Sequence, residues 1–195
     1  MAGPALSEEV AEGRLRRQER ARLIQAAAPA SGWGTLRFPP AALLASRVLG
    51  VLDDLGVADR ELMGHASRAL YGREAWQPQA TLTTDGRTVR KPDGTPLYVS
   101  PVFAAACGAA IGQHWEFALS VYIGADTGRR VVRAWTYDTD GDWQPDALRG
   151  DPDEDLIPSS TTTILLPAIL GPLHQRMTAD LPRLAAERAA MRQRA

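Results

Sequence analysis

A single cysteine, Cys107, among 195 residues leaves no partner for an intramolecular disulfide and none of the clustered thiolates that build the usual zinc sites. Within an uncharged run it reads as a small core residue rather than a nucleophile. Lysine is almost missing too. Lys91 is the one lysine among 22 basic residues, and that bias reads as GC-rich coding rather than as function. No apolar run reaches about 18 residues, the length a membrane helix needs, and the first thirty residues hold acids and arginines where a secretory signal needs an apolar segment. A cytoplasmic protein with no membrane partner is the expectation. The formal charge of −1 gives no general attraction for nucleic acid or acidic lipid, so any such binding needs a local patch. The signatures of common catalysts are absent as well: there is no nucleophile elbow, phosphate-binding glycine loop, dinucleotide fingerprint or paired-histidine zinc helix. No cofactor is expected.

What remains is an ordinary globular composition, 45% hydrophobic and 23% charged, in a chain long enough for one well-buried core. The expected organisation is a charged helical arm over 1–30 and a single α+β domain over 31–195. In fold class this is an antiparallel sheet of about four to five strands packed against a buried central helix, with flanking N- and C-terminal helices.

The central helix is predicted over 101–113. Ser100 then Pro101 is a start signal, and the segment that follows carries no charge on any face, so it must be buried. Gly108 and Gly112 read as a bare stripe for close packing. Period-two alternation follows, with Phe117, Leu119, Val121 and Ile123 on one face and Glu116, Ala118, Ser120 and Tyr122 on the other. Turn chemistry over 124–128 returns the chain as a second strand to Tyr137. The pairing that keeps arginine out of the core turns Val132, Ala134 and Thr136 inward and leaves Arg129, Val131, Arg133, Trp135 and Tyr137 outward.

Upstream, 6–28 reads as a helix whose thin apolar stripe (Val10, Leu15, Leu23, Ile24) suits an arm lying on the body or on a partner, with Glu12 and Arg16 as a favourable pair. Helices follow over 41–55 and, capped by Asp59, to about residue 71. Two or three short strands are expected over 81–99, between the turn signals Asp85-Gly86 and Asp93-Gly94. Downstream, 161–166 is β-branched enough for a strand. Residues 167–177 read as a short helix broken at Gly171-Pro172, and a last helix covers 181–194, so the type of 161–166 stays open.

Two local patterns carry resemblances. The stretch around Leu55-Gly56-Val57 resembles the turn of helix-turn-helix DNA-binding proteins, and a basic, turn-rich segment follows it as a wing would. That resemblance implies a winged-helix regulator contacting nucleic acid through Arg60, Arg68, Arg87, Arg90 and Lys91. Asp138, Asp140 and Asp142 resemble the opening of an EF-hand calcium loop, but Trp143 stands where the loop needs glycine and Arg149 where it needs the closing glutamate. Those three aspartates are the only metal-ligand candidates, and a solvated hairpin exit is the preferred reading.

For acid–base chemistry the candidates are His114 and Glu116, two apart at the start of the central hairpin. The outward row Arg129, Arg133, Trp135 and Tyr137 is the candidate surface for a partner. The order of elements over about 41–190 is similar to that of small dimeric α+β chaperones of secretion systems and of some phage tail-completion proteins. A non-catalytic protein-binding or assembly protein that forms a homo-oligomer is therefore the leading expectation. The winged-helix regulator and the His114/Glu116 enzyme follow it.

Overall fold

The structure is a computed structural model that describes residues 8–27, 38–74, 79–84, 87–139 and 156–193. Helix α4 (Pro101–Ala110) is its centre, lying against the helices that flank it, two short strands over 80–84 and one face of the main sheet. Val102, Ala104, Ala105 and Ala106 are buried, as expected of a helix with no side chain that water would reward. The helix ends earlier than its sequence suggests. Gly112 takes a left-handed conformation at φ 81°, and Gln113 N–H returns to the Gly108 carbonyl at 3.0 Å. Gly108 and Gly112 therefore form no common stripe: one stops the helix, while the other lies beneath the Gln113 and Trp115 side chains. Ser100 contributes its extended backbone to the helix start, and its side chain makes no capping hydrogen bond.

Strands β5 (Trp115–Gly124) and β6 (Arg130–Asp138) pair antiparallel in the arginine-out register, Phe117 opposite Thr136, Leu119 opposite Ala134 and Val121 opposite Val132. A third strand, β7 (Leu156–Leu165), pairs along the other side of β5, giving the order β6-β5-β7. The fold is thus α+β, but among the described residues the main sheet has three strands, not four or five. The missing strands lie over 80–99, where β1 (Ala80–Thr81) pairs with β4 (Tyr98–Val99) and β2 (Thr83–Thr84) with β3 (Arg87–Thr88). The tight turn at Asp93-Gly94 folds this segment back on itself, with Gly94 at φ 84° and Asp93 Oδ1 accepting the Thr95 N–H at 2.9 Å.

Helices α2 (Pro40–Asp54) and α3 (Arg60–Leu70) meet through Gly56 at φ 84°. Asp59 caps α3 by accepting the N–H groups of Glu61 at 2.8 Å and Leu62 at 3.1 Å, and these bonds, that to Leu62 first, hold its carboxyl below the ordinary range. Arg130 at the start of β6 reaches back to Asp59 at 3.3 Å and Glu61 at 3.6 Å. On α2, Leu44, Val48 and Leu52 are buried, whereas Leu55 stands in solvent just past the helix end.

The N-terminal helix, α1 (Glu8–Arg20), lies on α2. Arg14 and Arg17 pair with Asp54 at 3.0 Å and Asp53 at 3.1 Å, and Gln18, nearly buried, donates to the Ser46 carbonyl at 3.4 Å. The chain then turns at Arg22, φ 59°, which tucks Ile24 into the core. The expected Glu12–Arg16 pair is present at 2.6 Å. At the other end α5 (Leu166–Gln193) runs unbroken through Gly171-Pro172, contrary to expectation. A proline removes one helix hydrogen bond; Leu166 and Leu170 buried before it, with Leu173 and Met177 packed on the core after it, hold the two halves to one surface.

Two glycine replacements should have opposite signs. Gly64→Ala on α3 is expected to raise stability by up to about 1 kcal/mol, since alanine is the better helix former and its methyl would meet only Arg68 at ordinary contact distance. Gly108→Ala is expected to lower it by about 1–3 kcal/mol, because the methyl would run into the Gln113 oxygen and the Trp115 indole nitrogen. Urea unfolding of both variants measures the difference.

Candidate functional site

The face of the sheet turned away from α4 can be assembled row by row from the strand register. Tyr137, Glu116 and Leu165 form one row; Trp135, Ala118 and Thr163 the next; then Arg133, Ser120 and Thr161. Tyr137 donates its hydroxyl proton to Glu116 Oε2 at 2.5 Å, and the Ser120 and Thr161 hydroxyls bond at 2.9 Å. Arg133 lies over the Tyr122 ring, 5.8 Å from its centroid. Burial first, and then the Glu116 carboxylate, push the Tyr137 hydroxyl up to about 12.

This arrangement divides the four residues expected to meet a partner. Arg129 is exposed at the hairpin end, whereas Arg133 and Tyr137 are half-buried. Trp135 is 0% exposed beside Ala118, so it packs the sheet instead of offering a contact. The outward register was right, but outward does not mean solvent-facing. Among the acid–base candidates, His114 is exposed and Glu116 is engaged by Tyr137.

A feature that the sequence did not place is an open edge of the sheet along β7. Among the described residues β7 is bonded on one side only, to β5, and none of its ten residues carries a charge. Its first half is guarded. Val121 pairs with Ser160 and Tyr122 with Pro158, so Ser159 is the extra residue of a bulge, and Pro158 has no N–H to offer. Its second half has neither device: Thr161 and Thr163 are exposed, and Leu165 is 61% exposed. Long, uncharged edges are uncommon in proteins that stay single, because they present unpaired backbone groups to other chains. The sequence clue was the β-branched run Thr161-Thr162-Thr163-Ile164, which could be read as strand but not as edge.

Other polar side chains lie elsewhere among the described residues. Glu74, almost wholly buried, accepts from His65 Nδ1 at 2.8 Å and Arg68 Nε at 2.9 Å. Cys107 Sγ lies 3.8 Å from His174 Nε2, a pairing no sequence spacing announced, but burial pushes the thiol up, away from the thiolate a nucleophile needs. Of the basic residues expected to touch nucleic acid, Arg60, Arg87, Arg90 and Lys91 are exposed, and Arg68 is half-exposed with its Nε on Glu74. Asp138 closes β6, while Asp140 and Asp142 lie outside the described residues. No three of His, Cys, Asp or Glu among the described residues come together as metal ligands, and no helix there is long and apolar enough to cross a membrane.

No protein family, curated protein or solved structure matches the chain. The geometry alone therefore bears on function.

Tyr137 should titrate late, with its absorbance change near pH 12. Glu116→Gln should bring that step down only part of the way, since burial is the larger cause. A folded-state value above the ordinary 10.0 favours the protonated folded form. Its contribution to stability is whole below pH 10 and is lost as pH rises through about 12. Tyr137→Phe should flatten that decline in urea unfolding and abolish the late absorbance step.

Proposed function

We propose that this chain is a non-catalytic protein-binding or assembly protein that associates with itself. The observation that carries the reading is the unguarded half of β7, an exposed and uncharged strand edge among the described residues, whereas the opposite edge strand, β6, carries Arg130, Arg133 and Asp138 and packs on α3 and α4. On the outer sheet face Arg133 stacks on Tyr122 and Tyr137 bonds Glu116, two separate pairs taken up with each other rather than converging on a point where a substrate atom could react.

A winged-helix regulator is the second reading, favoured by the α2–α3 corner at Gly56 and the exposed Arg87, Arg90 and Lys91. Asp59 and Glu61 at the start of α3 weaken it, because they bring carboxylates to the helix end that would approach phosphate.

Light scattering and sedimentation velocity are expected to show a discrete oligomer; a strict monomer at all concentrations would overturn self-association. For the second reading, binding to duplex DNA that weakens steeply with salt and disappears when Arg87 and Arg90 are neutralised would support it. Absence of binding at low salt would remove it.

A further inference from the structure

We propose that residues 161–165 of β7 pair antiparallel with the same residues of a second copy, about a two-fold axis at Thr163, so that two three-stranded sheets join into one of six strands. This rests on the self-association proposed above and names its surface.

The limits of the pairing follow from the strand itself. Upstream, the bulge at Ser159 and the missing N–H of Pro158 interrupt the regular ladder, and downstream α5 begins at Leu166. Six residues of regular edge remain. Opposed residues in an antiparallel pair share a face, so the axis must pass through a residue, and Thr162 or Thr163 lies nearest the middle of the run. An axis at Thr162 would set Leu165 against the bulged Ser159. With the axis at Thr163, Leu165 lies opposite Thr161 of the second copy, and both are exposed in the single chain. The row Tyr137, Glu116, Leu165 then continues across the junction onto that threonine.

Charge selects the occupant. The open segment Ser160-Thr161-Thr162-Thr163-Ile164-Leu165 is neutral on both faces, so a partner strand with charges would set them against threonine methyls and leucine with no counter-ion. The strand required is uncharged, β-branched and unbulged, and a second copy of this chain supplies one. Threonine opposite threonine is a favourable cross-strand pair, and the axis places Thr163 opposite itself.

The test uses the full chain. Thr163→Lys places two like charges directly opposite each other at the axis while altering only an exposed side chain of the single chain. It is expected to weaken association about tenfold or more, with an unchanged circular dichroism spectrum. As a second measurement, Thr163→Cys in a Cys107→Ser background should form an intermolecular disulfide on mild oxidation, since opposed residues on paired strands lie within disulfide reach. Asp126→Cys, in the exposed hairpin turn, should not. An oligomer that survives Thr163→Lys unchanged and leaves Thr163→Cys uncrosslinked overturns the edge pairing but leaves self-association standing. A wild-type chain that is strictly monomeric overturns both.

Discussion

An uncharged helix has no face that water rewards, and α4 sits in mid-chain with that property. It must be surrounded, and the elements near it are arranged to do so. Helices α2, α3 and α5 and the inner face of β5 and β6 all supply apolar side chains to one continuous cluster. The small residues of α4 let these neighbours approach closely, and Phe117, Leu44, Leu49, Leu70 and Leu166 fill the space around it. The N-terminal helix joins by a different means. It uses Gln18 and two partly exposed arginine–aspartate pairs as well as apolar contact.

With one face of the sheet committed to α4 and Trp135, Ala118, Ser120 and Tyr122 buried on the other, the exposed residues of the sheet lie mainly on β7. The outer face is knitted together by cross-strand pairs, with the tyrosine–glutamate bond and the serine–threonine bond tying β5 to its neighbours on either side. The two halves of β7 then differ in a way a sheet needs to manage. A bulge and a proline close the first half, while the second ends in an exposed leucine immediately before α5. An edge guarded along part of its length limits pairing to one short register, which sets a defined assembly apart from open-ended aggregation.

How far the sequence could be read depended on the range of each interaction. The hairpin register was legible because the arginines of β6 cannot enter the core, and the Asp59 cap because it acts on the next three residues. Trp135 misled, since alternation assigns a side chain to a face but says nothing of what covers that face. The broken helix at Gly171-Pro172 misled for a related reason: local propensity favours a break, and packing on both sides of the proline outweighs it. The extra strands expected in the main sheet were real strands that paired with one another instead.

By itself, then, the sequence determined whatever is settled within a few residues: the mid-chain helix, the period-two hairpin, the Asp59 cap and the turns at Gly56 and Gly94. Only the tertiary structure decided that β7 would take the outer side of β5, that Tyr137 would meet Glu116, and that Cys107 would lie beside His174. Those outcomes join residues 21 to 67 positions apart, and they follow from which surfaces are left after α4 is buried. Pattern along the chain carries hydrophobicity and turn chemistry, whereas the choice of neighbour for a strand edge is made by competition among all the surfaces at once.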